Sequence, residues 1–433
     1  MKISVTCNNE NPLDLIYKSL RVNENVNTKE KINFILNELE NNDGDIFQHI
    51  YFTFKLEDIS NLSVWRFFHS HRFYESSQVN YKKLKPESFY EIENSSLFNK
   101  KICILHEELV DIFTDIFLNS KNPIEVKNAK NNAIINANYI LPQSLLTTIY
   151  HTISLSTLIK YLLSKNNIKD SKIEISNIIN KMKNILILKY PELKIIFNKC
   201  EDLNTIELES IYTNNIIDFY NDHKDCKIID YSIFSDNIEY FFKNDKFGLS
   251  SLHNTELGST FIKLKLFISL MSDKENQKHK TTYSLRPELN KIIHEKIYKN
   301  RLNYFMPSIF IENDRAIKIF NEAISQSISQ IKENNEYASY FLLNAFQIPV
   351  MEFNTGLDLI SKVEKRLCLN SLEEITKTTW CLVNEIKKID ILENFSTLLA
   401  PPCVHRYNMG VESPCPKGSQ YCGIKEWKGN KYK

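Results

Sequence analysis

Two segments of similar pattern lie about 200 residues apart, and this internal repeat constrains the fold more than any other feature. The first reads ANYILPQSLLTTIYHTISLSTLIKYLLSKN and the second reads ASYFLLNAFQIPVMEFNTGLDLISKVEKRL. In both, an Ala and aromatic residues precede a Leu, and an amphipathic helix ending in Lys or Arg follows a Thr, Ser or Asn site. Self-similarity at a long period predicts repeated structural units. A chance likeness between amphipathic helices is the alternative.

The elements around these two segments also follow a common order. The first half opens with a βα pattern and continues through an FTF strand at 52–54 and a helix near 102–117. The second half has the strand-like STFIKLKLF and a helix near 317–331. Because 433 residues suffice for two or three domains, we predict an α+β fold. Its domains span 1–215 and 216–400, and a Cys/His-rich tail follows at 401–433.

Composition excludes several classes of protein. The 54 basic and 53 acidic residues balance, so no overall field favours a nucleic acid or a membrane surface as partner. With eight glycines, the chain has neither GxGxxG nor GxxxxGKS/T, the phosphate-cradling loops of common nucleotide sites. The N-terminus lacks a signal-peptide pattern, and no run of about 18 apolar residues occurs. We therefore expect a cytoplasmic protein whose nine cysteines are reduced thiols.

The densest cluster of chemistry-bearing side chains lies between Gln48 and Tyr81. A strand, an amphipathic helix and a polar turn are predicted there. The cationic and imidazole side chains of this stretch are His49, Arg66, His69, His71 and Arg72. On a helix, His69 and Arg72 would share one face. Converging donors and cations of this kind predict a site for a phosphate-bearing ligand.

This region resembles the signature of the flavin-dependent thymidylate synthases, the ThyX family. In that family a histidine precedes an FTF strand, an Arg-His-Arg cluster follows, and a Ser-x-Arg-Tyr motif ends the stretch. The resemblance extends over roughly residues 1–200 and, in more degenerate form, 250–395. It implies two tandem ThyX-like domains, each a small antiparallel sheet with long helices. Because ThyX sites form between subunits, it also implies a homo-oligomer, a dimer of two-domain chains.

The resemblance assigns flavin-binding and catalytic candidates in the first half. His49 stands at the histidine before the FTF strand, and His69 is the one member of the Arg-His-Arg cluster kept without gaps. A shift of two residues offers His71 and Arg72 instead. We expect the three histidines to bind FAD, with Arg72 and Gln78 as the candidate catalytic residues. For His49 alone, a histidine at the edge of the core is the competing interpretation.

Several substrate-side positions of the family are replaced. Gln78 and Asn80 stand where the family has Ser and Arg, Ser154 replaces an Asn, and Lys165 replaces the Arg that ends the late helix. As the resemblance implies, these four residues line the substrate. Lys is a point charge on a flexible stem and lacks the planar fork of Arg. Lys165 could instead be a solvated residue at a helix end.

In the second half, Lys278, His279 and Lys280 lie where a repeated domain would carry Arg-His-Arg, and Arg286 follows. The resemblance implies that these residues contribute to flavin binding and close the site from the second half. An exposed polar turn is the alternative, because the flanking sequence is strongly polar.

The function that the resemblance implies is reductive methylation. Reduced FAD would carry a one-carbon unit from methylenetetrahydrofolate to C5 of a uracil nucleotide, converting dUMP to dTMP, with NADPH as a candidate reductant. Two alternatives remain open: a flavoenzyme of the same fold that acts on another nucleotide or a specialised metabolite, and a non-catalytic paralogue. The replaced arginines favour both alternatives, because they remove anchors for an anionic substrate.

The tail concentrates thiols and an imidazole in a short segment. The candidate ligands for a metal are Cys403, His405, Cys415 and Cys422. Four such donors suit tetrahedral Zn²⁺, and a segment this short has little core of its own. Unpaired structural thiols and an iron–sulfur cluster are the alternatives.

Overall fold

The computed structural model describes residues 1–7, 11–20, 27–40, 47–71, 73–78, 86, 88–165, 170–202, 226–232, 260–279, 282–297, 303–412, 415–418 and 421–425. The first sheet contains β1 (Lys2–Cys7), β2 (Tyr51–Ser60), β3 (Glu75–Gln78) and β4 (Leu146–Ser154). The second contains β5 (Cys226–Ser232), β6 (Phe261–Ser269), β7 (Tyr283–Leu285) and β8 (Gln347–Thr355).

The two sheets have the same topology. Their strand orders are β1-β2-β4-β3 and β5-β6-β8-β7, and every neighbouring pair is antiparallel. The predicted α+β class is confirmed, since helices surround both small sheets. None of the helices in the described part of the chain is long and apolar enough to cross a membrane.

The helices of the first half are α1 (Pro12–Leu20), α2 (Thr28–Glu40), α3 (Asn61–Ser63), α4 (Ser96–Leu118), α5 (Pro123–Lys127), α6 (Ala129–Ala137), α7 (Leu155–Ser164), α8 (Lys172–Lys189) and α9 (Leu193–Asp202). Those of the second half are α10 (Leu270–Asn276), α11 (Leu289–Ile297), α12 (Ser308–Ile311), α13 (Asp314–Glu333), α14 (Gly356–Arg366), α15 (Glu373–Lys387), α16 (Glu393–Ser396) and α17 (Pro402–Asn408). Single 3₁₀ segments span Asn138–Ile140, Asn335–Phe341 and Asp390–Leu392.

The chain forms two compact units, each assembled from three separate stretches of sequence. The first unit comprises Met1–Lys100, Pro142–Ile211 and Gln330–Leu342, and the second comprises Lys101–Leu141, Tyr212–Ser329 and Leu343–Lys433. Each unit therefore contains one sheet. The two continuous domains predicted at 1–215 and 216–400 remain a prediction. The boundary between them, at residue 215, lies outside the described residues.

Apolar periodicity explains the core of the first unit. In β2, Phe52, Phe54 and Leu56 alternate and are buried, as expected for a strand with one face on a core. In α7, the predicted apolar face is confirmed, because Leu155 and Leu158 are fully buried at helical spacing. Both elements contribute to one hydrophobic cluster.

Four strands end in a hydroxyl residue that begins the following helix. In every case the hydroxyl accepts a hydrogen bond from the backbone N–H three residues later, which satisfies one of the unpaired donors of the first helical turn. The four capping residues are Ser60, Ser154, Ser269 and Thr355. The repeated arrangement of strand, cap and helix fixes where each central strand stops.

A buried carboxylate binds the first of these caps. Glu174, in the first turn of α8, accepts hydrogen bonds from Ser60 N at 2.7 Å and from Ser60 Oγ at 2.5 Å. It also accepts from Ser63 Oγ at 2.6 Å and from the Tyr340 hydroxyl at 2.9 Å. The carboxylate thus joins the end of β2, the start of α3 and the start of α8.

The second unit contains the same contact. Glu374, in the first turn of α15, accepts from Ser269 N at 2.8 Å, from the Ser269 hydroxyl, and from Ser272 Oγ at 2.5 Å. Burial raises the pKa of Glu374 to about 7, although the hydrogen bonds from Ser269 and Ser272 oppose this increase.

One predicted element is wrong. The helix expected to carry His69 and the residues after it ends earlier, because α3 leads into a single π-helical turn at Val64–Phe68. His69 caps that turn with φ −107° and ψ 6°, and His71 lies in a bend. The expected helical face shared by His69 and Arg72 is therefore absent at His69, and Arg72 lies outside the described residues.

We expect Glu374 to make stability depend on pH. Its pKa rises from 4.5 in the unfolded chain to about 7 in the folded protein, so the folded state binds more protons between these values. The free energy of unfolding should fall by about 3 kcal/mol as pH rises from 4.5 through 7. Urea denaturation followed by tryptophan fluorescence across this range measures the slope. Glu374→Gln should flatten it, whereas Glu373→Gln should leave it intact; equal slopes in both variants would contradict the assignment.

Candidate functional site

Two imidazoles of the first unit meet at one buried phenol. The hydroxyl of Tyr161, on α7, lies 2.6 Å from His71 Nε2 and 3.0 Å from Nε2 of His151, a residue of β4. Because a hydroxyl donates one hydrogen bond and accepts others, one imidazole accepts the phenol proton and the other donates. Burial lowers the pKa of His71 to about 4, with Lys160 adding to the effect, and burial raises the pKa of Tyr161. His71 and Tyr161 are therefore both uncharged near pH 7.

His69 lies beside this group. Its ring stacks on Tyr74 with centroids 5.0 Å apart and planes 4° apart, and its Nε2 lies 3.0 Å from Ser76 Oγ on β3. The Tyr74 ring also contacts His71 and His151. Both histidines predicted to bind flavin in this stretch thus have protein partners, and their contact with flavin remains a prediction.

Gln78 lies at the end of β3, half-buried. Its Nε2 donates to Asn61 Oδ1 at 3.1 Å and to Thr147 Oγ1 at 3.3 Å. These two bonds orient the amide group. The predicted neighbour Asn80 lies outside the described residues.

The two predicted substrate residues around α7 occupy its ends. Ser154 is the cap of α7, and its hydroxyl accepts from Thr157 N at 3.1 Å. Lys165, directly after the helix, donates to Asn180 Oδ1 at 3.1 Å and to Glu201 Oε1 at 3.3 Å. Lys183 also pairs with Glu201, at 2.8 Å. The carboxylate of Glu201 is thus shared between two ammonium groups.

Three exposed side chains, those of Tyr51, Phe73 and Lys160, lie on segments that meet the start of α7 or belong to it, and we call them the α7 surface. Tyr51 pairs with Ser154 in the sheet, and the Phe73 carbonyl accepts from Thr157 Oγ1 at 3.4 Å. The rings of Tyr51 and Phe73 are 56% and 54% exposed, and the Lys160 ammonium lies 5.0 Å from the Phe73 ring centroid.

His49 lies close to this surface in sequence. It is exposed in the turn that precedes β2, two residues before Tyr51. The position agrees with the predicted placement of His49 before the FTF strand, while its role toward flavin stays a prediction.

In the second unit an ion pair occupies the positions of the His151–Tyr161 contact. Glu352 and His151 both lie three residues before the cap that ends their strand, and Lys362 and Tyr161 both lie seven residues after it. Lys362 donates to Glu352 Oε2, and both side chains are buried. Asn276 also donates to Glu352. Burial lowers the pKa of Lys362, although Glu352 opposes the shift.

The predicted cationic cluster of the second half is largely paired internally. Lys278 is exposed and lies 2.5 Å from Glu275 Oε1, and Arg366 lies 3.3 Å from the other oxygen of that carboxylate. Burial raises the pKa of Glu275, but Lys278 and Arg366 outweigh it and lower the pKa overall. His279 is buried, and burial followed by the charge of Arg366 lowers its pKa to about 2. Lys280 lies outside the described residues.

Arg286, just after β7, forms a buried bidentate pair. Its Nε and Nη2 donate to the two carboxylate oxygens of Asp273 at 2.5 and 2.9 Å, and its Nη1 donates to Ser284 Oγ at 2.8 Å. This geometry satisfies the guanidinium fork within the protein. A phosphate would have to replace Asp273 to bind Arg286 in the same way.

Sequence reasoning missed the central pairs of both units. His151, Tyr161, Glu352 and Lys362 were not among the predicted site residues. The sequence does contain a signal for these pairs. A polar residue that lies three residues before the Ser or Thr cap of a buried strand needs a hydrogen-bond partner, and the helix that follows the cap can supply it.

The predicted zinc ligands of the tail are not assembled as expected. His405 lies 3.9 Å from Glu364 Oε1, and its imidazole forms hydrogen bonds with the main chain at Leu398 and Ala400. Cys403, Cys415 and Cys422 instead line a small cavity with a fourth thiol, that of Cys368. Within the described residues, no group of three or more His, Cys, Asp or Glu side chains is already arranged to hold a metal ion.

Residues 5–192 match the family model described as thymidylate synthase complementing protein, which confirms the predicted ThyX resemblance for the first half of the chain. Thymidylate synthase X from Helicobacter pylori, solved with FAD and dUMP, is similar at 16% identity over 46% of this chain and 98% of that chain, with a TM-score of 0.33. The UMP/dUMP methylase PolB from Streptomyces cacaoi, bound with 5-Br dUMP, is similar at 12% identity over 47% and 97%, with a TM-score of 0.33. No curated protein matches.

We expect the Glu352–Lys362 pair to be a strict structural requirement. Lys362→Met should leave Glu352 buried without its charged partner and should cost about 3–5 kcal/mol of stability. The double variant Glu352→Gln/Lys362→Met should recover part of this loss. As a matched change at the equivalent position, Tyr161→Phe should cost only about 1 kcal/mol. Denaturant unfolding measures all three, and a double variant no more stable than Lys362→Met would contradict the interpretation.

Proposed function

We propose that this protein is an FAD-dependent methylase that transfers a one-carbon unit to C5 of a uracil nucleotide, in the reaction that converts dUMP to dTMP. The match of residues 5–192 to the thymidylate synthase complementing family carries this proposal. Methylenetetrahydrofolate as the carbon donor, NADPH as the reductant and a dimer of two-domain chains belong to the same proposal.

The α7 surface is compatible with a flavin. An isoalloxazine ring is flat and aromatic, and the exposed ring of Tyr51 offers it a face for stacking. His49 lies within two residues of Tyr51 and can supply a hydrogen-bond donor. The ammonium of Lys160, close to Phe73, adds a positive charge suited to a phosphate of the cofactor. When bound, FAD would supply the electrons and the transfer of the one-carbon unit.

The chain's own residues would bind and polarise the nucleotide. Lys165 would bind its phosphate as a point charge, and the oriented amide of Gln78 would form hydrogen bonds with the edge of the uracil. Arg72, Asn80 and Ser154 remain predicted parts of this site. Polarisation by hydrogen bonds and cations takes the place of a covalent cysteine in this proposal.

A second candidate function is favoured by the pairing of Lys165. Its ammonium shares Glu201 with Lys183, so much of its charge is compensated within the protein. The same fold could then bind flavin but act on a less anionic acceptor, such as another nucleotide derivative or a specialised metabolite. A protein that binds no flavin would be the non-catalytic paralogue.

We expect the purified protein to bind FAD and to absorb as a yellow flavoprotein. Tyr51→Ala should remove a stacking surface and weaken FAD binding by about 0.5–1.5 kcal/mol, roughly 2- to 12-fold in Kd. Tyr150→Ala is the matched control, because Tyr150 is a similarly exposed tyrosine of the same sheet. Fluorescence titration gives both constants. Colourless protein that takes up no FAD would exclude both enzyme functions.

We expect dUMP to change the spectrum of the bound flavin, and Lys165→Ala to weaken dUMP binding. Losing a charged contact should cost about 1.5–3 kcal/mol, roughly 10- to 150-fold in Kd. Lys181→Ala is the control, because Lys181 is an exposed lysine of α8, and the Kd of this variant for dUMP should stay close to that of the unmodified protein. A flavin-bound protein that does not respond to dUMP or UMP would support the other acceptor instead.

A further inference from the structure

Four cysteines from three parts of the second unit line one small cavity. Cys368 follows α14, Cys403 lies in the first turn of α17, and Cys415 and Cys422 belong to the tail. The cavity has a volume of about 30 Å³, which suits one water molecule or one ion. Its other walls are mainly the prolines and apolar residues of the same segments.

The described part of the tail has almost no hydrophobic core that could hold it in place. Among the described residues from 401 onward, only Pro401 is buried. Gly423 has φ +83°, and a Cβ there would lie 2.7 Å from Asn122 Oδ1, so the turn that positions Cys422 requires glycine. Asn122 also donates to the Cys422 carbonyl at 3.3 Å. The turn therefore holds Cys422 at the cavity, where its thiol donates to the Ile424 carbonyl at 3.6 Å.

The four thiols lie close enough together to interact electrostatically, because Cys415, Cys368 and Cys422 each act on Cys403. A divalent cation between them would favour their deprotonated form.

We propose that Cys368, Cys403, Cys415 and Cys422 form a structural zinc site with four thiolate ligands. The cavity has room for one ion rather than a cluster, and tetrahedral Zn²⁺ accepts four cysteine ligands at about 2.3 Å. Binding releases the thiol protons to solvent and leaves the oxidation state of metal and sulfur unchanged. Cys368 is thus the fourth ligand, instead of His405, which was predicted from the sequence.

The tetrahedral arrangement of the four thiolates would form only on binding of the ion. The four thiols surround the cavity but do not yet converge at ligand distances. Rotation of the cysteine side chains and a small movement of the tail would close them on the ion. Because the tail has little core, zinc binding would supply most of its folding free energy.

The test is the metal content of the full chain purified under reducing conditions and after addition of Zn²⁺. We expect about one zinc per chain. Cys368→Ser and Cys415→Ser should each lose most of it, while His405→Ala and Cys103→Ser should retain it. Co²⁺ substitution of the unmodified protein should give the thiolate charge-transfer absorption of a tetrahedral site, and Zn²⁺ should protect four thiols from alkylation.

The remaining outcomes overturn the proposal. Zinc retained by Cys368→Ser or lost by His405→Ala would mean a different ligand set. Iron with labile sulfide would mean a cluster, and thiols that resist alkylation without metal would mean disulfides. Unmodified protein that takes up neither Zn²⁺ nor Co²⁺ would leave the cysteines as ordinary thiols. If a cysteine variant fails to fold, the cobalt spectrum and thiol count of the unmodified protein still decide.

Discussion

A buried glutamate that accepts hydrogen bonds from two serines is the contact on which each unit depends. Glu174 and Glu374 each lie in the first turn of a helix. Each satisfies the hydroxyl groups of a strand end and of the following turn. Without the carboxylate, several buried donors would lose their partner, at a cost comparable to a large part of a domain's stability. The contact therefore fixes strand length, helix start and helix packing together.

The two halves share backbone positions but use them with different chemistry. His151 and Tyr161 form an uncharged hydrogen-bonded pair, while Glu352 and Lys362 at the equivalent positions form a buried ion pair. Arg286 is likewise neutralised by Asp273. In the second half, cations that a phosphate would need are paired with carboxylates of the same unit. The exposed aromatic and cationic side chains of the α7 surface, by contrast, lie in the first unit.

Local patterns in the sequence were enough to predict the central strands and the long helices. The FTF strand corresponds to β2, and the helix predicted near 317–331 corresponds to α13, because both have clear apolar periodicity. The prediction of a helix through His69 was wrong, because the helical segment ends in a π-helical turn at Phe68. The spacing of apolar residues does not reveal such a turn. The carboxylate contacts join residues more than 100 positions apart. Contacts between residues so far apart in sequence, including that of the Cys368 thiol with the cavity beside the tail, cannot be predicted from local patterns.

Each unit contains a segment from the other half of the sequence, so neither half of the sequence encodes a complete unit. The first unit includes Gln330–Leu342 from the second half of the sequence, and the second includes Lys101–Leu141 from the first. Tyr340 belongs to the inserted segment and donates to Glu174, 166 residues earlier in the chain. In the second unit, Asn344 Nδ2 donates to the Asn138 carbonyl across 206 residues. A half expressed alone would leave these buried groups without partners, so each sheet depends on a segment that the other half encodes.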